Sequence, residues 1–369
     1  MQKILFLYLD SFSNTGGIEK FNRCFLKALQ ELNNESEFYT NAYSMYDSIC
    51  DEKYFSTTFF KGFSGKKILF VLNSIIYSFK FDTIILGHIN LALIGIIIKK
   101  INPKAKIILV THGIEVWQEQ KGTKKMLLQY VDEIFAVSHF TKNKMLATNS
   151  YLKANKIKIF PNTIDPYFQF PTQFNKPDYL LKRYSIDKHT KVLLTITRLA
   201  NSEQYKGYDF VIEALPQILN KNNSNIKYLI GGKGQTEELN RIENLIQQNN
   251  IQEQVQFLGF IKDEELIDHY LLADVFVMPS RGEGFGIVFI EAAACGCKVI
   301  AGNKDGSVDA LQNGALGTLI NPDSVEELEQ AILENLNNNH HHPAALQQKV
   351  VNSFGFPVFK ERLKQYLNA

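Results

Sequence analysis

Short apolar, β-branched runs recur along the chain with amphipathic stretches between them. The front half carries KILFLYL, DTIILGH, KIILVTH and EIFAVS; the back half carries KVLLTIT, IKYLIGG, QVQFLGF, DVFVMPS and KVIAG. Continuously apolar strands alternating with helical patterns predict parallel sheets covered by helices on both faces. The helix expected after the first run shows the period clearly. Ile18, Phe21, Phe25, Leu29 and Leu32 return at steps of three and four residues, while Glu19, Lys20 and Lys27 fall on the polar face. The chain therefore reads as two α/β units.

Between the halves, PNTIDPYFQFPTQFNKPDY is rich in proline and lacks a helical period, which places a domain joint near residue 170. The expected units are 1–170 and 171–352, with residues 353–369, which hold the amphipathic tail FGFPVFKERLKQYLNA, completing the first. The polar stretch NNNHHHP before the tail reads as an exposed loop. His340, His341 and His342 have no further ligand spacing nearby and are not taken as a metal site. The run Ile84 to Ile98 is broken by His88 and Asn90 and falls short of the roughly 20 apolar residues of a membrane span, so a buried strand and a core helix are expected there.

Length agrees with the pattern, since 369 residues with 45% apolar content can fill more than one core. A formal charge of +2 excludes a nucleic-acid binder that works through a general basic surface. The charge is uneven, however. Residues 1–170 hold 21 Lys and Arg against 14 Asp and Glu, whereas the remainder is acidic. Cys24, Cys50, Cys295 and Cys297 are too few for a secreted disulfide scaffold and suggest reduced thiols in a cytoplasm. The opening MQKILFLYLD is too short for a signal core and predicts the first strand.

Candidate chemistry concentrates in DVFVMPS-RGEGFG-IVFIEAAAC, read as strand, loop and helix. Ligands of open parallel sheets bind at the carboxyl ends of strands, where Glu283 must lie. The amides of Phe285, Gly286 and Ile287, at a helix N-terminus, suit an anion. Glu291 follows about one turn into the helix, roughly 10 Å from Glu283. Two acids flanking an anion site suit a ligand with hydroxyls at both ends and a diphosphate between, and a nucleotide sugar has that form. A helix carrying two solvated acids would explain the same spacing. TITRLANSEQYKG adds Arg198 and Lys206, cations able to hold a diphosphate. No two aspartates stand one residue apart, so no catalytic metal is expected. IGGKGQ lacks the third glycine of a dinucleotide fingerprint, with no helix-packing position after it, and SGKK lacks the rest of a phosphate loop; both read as turns.

With these residues in view the chain resembles the retaining glycosyltransferases of family 4. The resemblance rests on the Glu-x7-Glu segment Glu283 to Glu291, on Arg198 and Lys206 with Gly207, on IGGKGQ and FLGFIKDEEL, and more weakly on GGIEKF, VTHGIE and PNTID. It implies the GT-B architecture: two Rossmann-like domains facing across a cleft, with the C-terminal helix returning to the N-terminal domain. The front domain would bind the acceptor and the back domain the nucleotide sugar. Glu283 would hold the donor sugar, Glu291 the ribose, and Arg198 and Lys206 the diphosphate, beside Gly232 in the glycine turn. Gly16 and Gly17 would offer amides to the donor phosphates, and His112, at a strand end, would lie near the transferred sugar. A strand-end histidine is also found as a satisfied core residue. Two departures stand out: Asn201 to Tyr205 make a long loop before Lys206, and DGSVDA replaces the Gly-Gly-x-x-Glu of many relatives.

The expected function is transfer of a sugar from a UDP- or GDP-sugar co-substrate to a glycan or lipid-linked acceptor, with no other cofactor and no metal. Surface polysaccharide or glycolipid assembly is the expected setting. A nucleotide-sugar epimerase of the same architecture is the alternative, and a donor-binding module without turnover is a third reading. Lysines 61, 66, 67, 80, 99, 100, 104 and 106 flank apolar runs, which suits either an anionic membrane surface or an ordinary solvated face.

Overall fold

The computed structural model describes residues 1–221 and 225–369. They form two units: Met1–Tyr167 with Phe354–Ala369, and Phe168–Ser353. The joint thus falls at 167, against the expected 170. The final 16 residues belong to the front unit, which is where α-helix Phe356–Asn368 packs.

The front unit is built on seven strands: β1 (Gln2–Tyr8), β2 (Phe38–Ser44), β3 (Phe60–Gly62), β4 (Thr83–Leu86), β5 (Lys106–Thr111), β6 (Glu133–Ala136) and β7 (Ile157–Ile159). They lie parallel in the order β3-β2-β1-β4-β5-β6-β7. The register puts Leu5 of β1 between Asn41 and Ile84. Both faces are covered, which is why these strands read as unbroken apolar runs. On one face Leu5, Leu7, Leu86 and Leu109 meet Ile94 and Ile98 of helix α3 (Ala92–Ile101). On the other, Phe6 packs on Phe25 of helix α1 (Gly17–Asn34), and Phe25, Phe160 and Phe359 close an aromatic cluster. Helix α2 (Lys67–Ser78) covers the sheet through Phe70, Ser74 and Ser78.

The back unit has six parallel strands: β8 (Lys191–Ile196), β9 (Ile226–Gly231), β10 (Val255–Gly259), β11 (Val275–Met278), β12 (Lys298–Gly302) and β13 (Thr318–Ile320). Their order is β10-β9-β8-β11-β12-β13. Leu193 of β8 pairs with Tyr228 on one side and Val275 on the other. Helix Tyr208–Lys221 lays Val211, Ile212, Leu215 and Ile218 onto this sheet, all fully buried.

In each sheet the sequence order reverses once, between β1 and β4 and between β8 and β11. The connections on either side of such a point depart toward opposite faces and leave a crevice at the carboxyl ends. One correction concerns the glycine turn. Helix Thr236–Gln248 follows IGGKGQ directly, and a Cβ on Gly234 would stand 2.7 Å from Leu239 of that helix, so a helix-packing position does follow.

Candidate active site

The reversal point of the back sheet brings together the loops after β8 and β11, and these carry Arg198, Lys206 and Glu283. Their approach is fixed by backbone contacts. Residues Asn201–Lys206, expected as a long loop, wind into a 3-10 helix that shortens the path and delivers Lys206 to the sheet edge. Gly207 ends it at φ 81°, in the left-handed region, and a side chain there would collide with the Pro279 carbonyl. Arg281 then donates its amide to the Tyr205 carbonyl at 2.8 Å, tying the second loop to the first. Gly232, after β9, has φ 138° and lies against the Thr197 carbonyl.

Lys206 Nζ forms an ion pair with Glu283 Oε1, and both side chains are largely buried, at 14% and 13% exposure. Burial alone would push the Lys206 ammonium down, but the Glu283 carboxylate and Tyr205 outweigh it and hold it above its ordinary value. Arg198 extends toward solvent and donates from Nε to Glu203 Oε1 at 2.6 Å. Tyr205 stands among all four charges; burial raises its hydroxyl, Lys206 and Arg198 pull it down, and Glu283 and Glu203 push it up. Glu203 did not emerge from the motif, although its place five residues after Arg198 in a polar loop was a signal.

The Glu283 segment is pinned from beneath by the DGSVDA loop. Asp305 is buried and accepts from the Ser280 hydroxyl at 2.6 Å, the Glu283 amide at 2.8 Å and the Ser307 amide at 2.9 Å. Gly306 returns a bond to the Glu283 carbonyl at 2.8 Å. Burial pushes the Asp305 carboxyl up to about 6, while its hydrogen bonds to Ser280, Ser307 and the Glu283 amide pull it back. The loop that departs from the family pattern therefore positions Glu283.

After Glu283, Phe285 is buried and Gly286 turns the chain into helix Ile287–Ala294, whose first amides point out of the helix end. Glu291 is only 2% exposed and accepts from the Tyr270 hydroxyl at 3.0 Å. The reading of two solvated acids is thereby corrected. The helix is short and apolar on every side, so its fifth residue faces protein rather than water.

In the front unit, Gly16 precedes α1 and Gly17 is its first residue. The Glu19 carboxylate folds back over Gly16 and hydrogen-bonds its own amide. Burial raises this carboxyl, its own backbone bond opposes that, and Asp10 raises it further. The acid of GGIEKF, expected only on the polar face of the helix, thus covers the turn assigned to phosphate. Asp47 holds the preceding loop by accepting from the amides of Ser11, Phe12 and Ser13 at 2.8–3.0 Å. His112 follows β5, and its Nε2 hydrogen-bonds the Gly87 carbonyl at 2.8 Å, which sets Nε2 as the protonated nitrogen. His88, which the sequence reading treated only as an interruption, lies 6.3 Å from it between ring centres. Burial and then the charge of His112 bring His88 down to about 4; burial holds His112 below its ordinary value as well.

Residues 180–351, within the back unit, match the family described as Glycosyl transferases group 1. The match covers just under half of the chain and nearly all of the back unit. Among relatives, the chain is 28% identical over 243 residues to the GDP-mannose-dependent alpha-(1-6)-phosphatidylinositol monomannoside mannosyltransferase of Mycobacterium tuberculosis. That match covers 63% of this chain and 60% of the relative, so the chain spans less than two thirds of that enzyme's length. Solved structures align throughout. Anabaena HepE in complex with UDP and glucose superposes with a TM-score of 0.78 at 17% identity, covering 100% of both chains. Sucrose-phosphate synthase of Thermosynechococcus elongatus gives 0.78 at 19% identity, covering 100% of this chain and 98% of that one. The two units have the GT-B fold of these neighbours.

Proposed function

We propose that this chain moves a sugar from a UDP- or GDP-sugar onto a glycan or lipid-linked acceptor, keeping the anomeric configuration, in surface polysaccharide or glycolipid assembly. One juxtaposition supports this most. A unit that matches the group 1 glycosyl transferases carries, at the reversal point of its sheet, the buried Lys206–Glu283 pair, with Arg198 on the same loop as Lys206. The front unit, 1–167 with 354–369, is the acceptor-binding one in this reading, and 168–353 binds the donor. A cytoplasmic protein peripheral to the inner membrane face goes with it.

The roles follow from charge. Before donor arrives, Lys206 and Glu283 neutralise each other. A diphosphate, with more charge than one carboxylate, draws the Lys206 ammonium and the Arg198 fork to itself. Glu283, released, accepts hydrogen bonds from the sugar hydroxyls, and Glu291, reached past Tyr270, takes the ribose. Gly232 and the amides from Phe285 to Ile287 line the diphosphate. The acceptor oxygen forms its bond to the anomeric carbon on the face that the diphosphate leaves. The bond from that carbon to the phosphate oxygen breaks, and the departing oxygen takes the acceptor's proton. Rate then comes from positioning and from stabilising the leaving charge. Gly16, Gly17 and His112 serve the donor from the front unit once Glu19 has swung off the turn.

The test is a panel of nucleotide sugars scored by thermal shift and by slow donor hydrolysis. One UDP- or GDP-sugar is expected to raise the melting temperature and to release nucleoside diphosphate, and Lys206→Ala is expected to abolish both effects. Conversion of the sugar on its nucleotide, without release of diphosphate, would favour the epimerase reading instead.

A further inference from the structure

Helix α2 buries one face, covers its flanks in part and leaves the opposite face, which is apolar, exposed. Phe70, Ser74 and Ser78 face the sheet and are buried. On the opposite side Ile68, Leu72 and Ile76 follow at four-residue steps, and Leu69 and Phe79 complete a stripe about 100° wide. These are among the most exposed apolar side chains described: Ile68 is 76% accessible, Ile76 63% and Phe79 60%. Leu93 and Ile101 of the neighbouring α3 are exposed too. An outward apolar stripe of this size marks a surface meant to be covered.

The charges around it identify the cover. From Lys53 to Ile114 the chain holds nine lysines and a single acid, Asp82. Asp82 accepts from the Lys3 amide at 2.8 Å, at the start of β1. Lys66 and Lys67 are exposed where α2 begins, Lys80 follows Phe79, and Lys100 is exposed beside Ile101. Lys61 reaches α2 itself, donating to Asn73 Oδ1 at 2.6 Å. A second copy of the chain docking here about a two-fold axis would bring these lysine rows against each other. A surface that accepts apolar side chains and is itself negative fits both features.

We propose that the outer face of α2, with Leu93 and Ile101 of α3, is the site at which this protein lies on an anionic lipid bilayer. Ile68, Leu72, Ile76 and Phe79 enter the acyl boundary while Lys61, Lys66, Lys67, Lys80 and Lys100 meet the lipid phosphates. Among the described residues no helix is long and apolar enough to cross a membrane. The proposal rests on the membrane-peripheral part of the proposed function and gives it a place on the fold, while sugar transfer is tested separately by the nucleotide-sugar panel.

The full chain is sedimented with vesicles of phosphatidylcholine alone and with vesicles containing phosphatidylglycerol, at low and high salt. Binding to the anionic vesicles, weakened by salt, is expected. Ile68→Ser with Leu72→Ser and Ile76→Ser, all at exposed positions, is expected to abolish it with an unchanged circular dichroism spectrum and melting temperature. Lys66→Glu with Lys67→Glu and Lys80→Glu is expected to weaken it by roughly a hundredfold or more, from about fivefold per lysine near a charged surface. Equal capture by neutral and anionic vesicles overturns the proposal, as does no capture. A concentration-dependent dimer in sedimentation equilibrium that the serine variant dissolves also overturns it, since a second copy then covers the stripe.

Discussion

At the residue scale the Lys206–Glu283 pair is both a stability element and, on the proposed reading, the machinery. Removing one partner leaves the other charge buried, which typically costs about 3–5 kcal/mol, whereas replacing both with apolar groups is much milder. Glu283→Ala is therefore expected to lower unfolding free energy in urea more than Lys206→Met with Glu283→Leu does, although each abolishes the pair. Turnover should fall by roughly 10²- to 10³-fold in Glu283→Ala and in Lys206→Ala, the scale for one lost stabilising group. Near-normal turnover in either would remove that residue from its role. Asp305 gives a second test. Its carboxyl lies above its ordinary value, at about 6, so the folded chain binds its proton more tightly than the unfolded one. The stability it contributes is fully present below its ordinary range and is lost as pH rises through about 6. Urea unfolding between pH 4 and 7 should show this decline, and Asp305→Asn should flatten it; an unchanged slope would mean that another group carries it.

At the scale of elements, the strands were legible because burial on both faces writes itself as an unbroken apolar run, as in KILFLYL and DVFVMPS. The Glu283 loop and the Arg198 loop were legible as strand-end segments. That they touch was not, since contact depends on β8 lying beside β11, and strand order leaves no trace in spacing. Glu291 read as a hydroxyl acceptor for a ligand or as a solvated acid, and its burial was not legible because it is decided by Tyr270, on another helix. Glu19 read as an ordinary polar-face residue of α1, and its return over Gly16 depends on rotamer rather than on pattern. The apolar outer face of α2 was hidden for the reverse reason: apolar sequence looks like core whether or not anything covers it. The junction of the two loops makes its own prediction. Gly207→Ala puts a Cβ at positive φ and onto the Pro279 carbonyl, and should destabilise by about 1–3 kcal/mol. It should also weaken donor binding by displacing Lys206, as measured by calorimetric titration; unchanged affinity would show that Lys206 reaches the ligand without this turn.

For the whole molecule, two separately cored units predict that ligand effects divide between them. A donor held by residues 168–353 stabilises that unit by mass action, about 2.7 kcal/mol at a hundredfold excess over Kd. Hydrogen exchange in mild urea should then slow at β8 and β11 and stay the same at β1 and β4. Equal slowing in both units would contradict the assignment of donor to the back unit. The chain path adds a different consequence. Phe359 and Leu363 are buried in the front unit, where Phe359 meets Phe21, Phe25 and Phe160, yet they follow the whole of the back unit in sequence. On the ribosome the second unit in sequence is the first to be complete, while the aromatic face of the first stays unsealed until residues 354–369 have emerged. Loss of those residues would therefore wound the unit that opens the chain and spare the one before them.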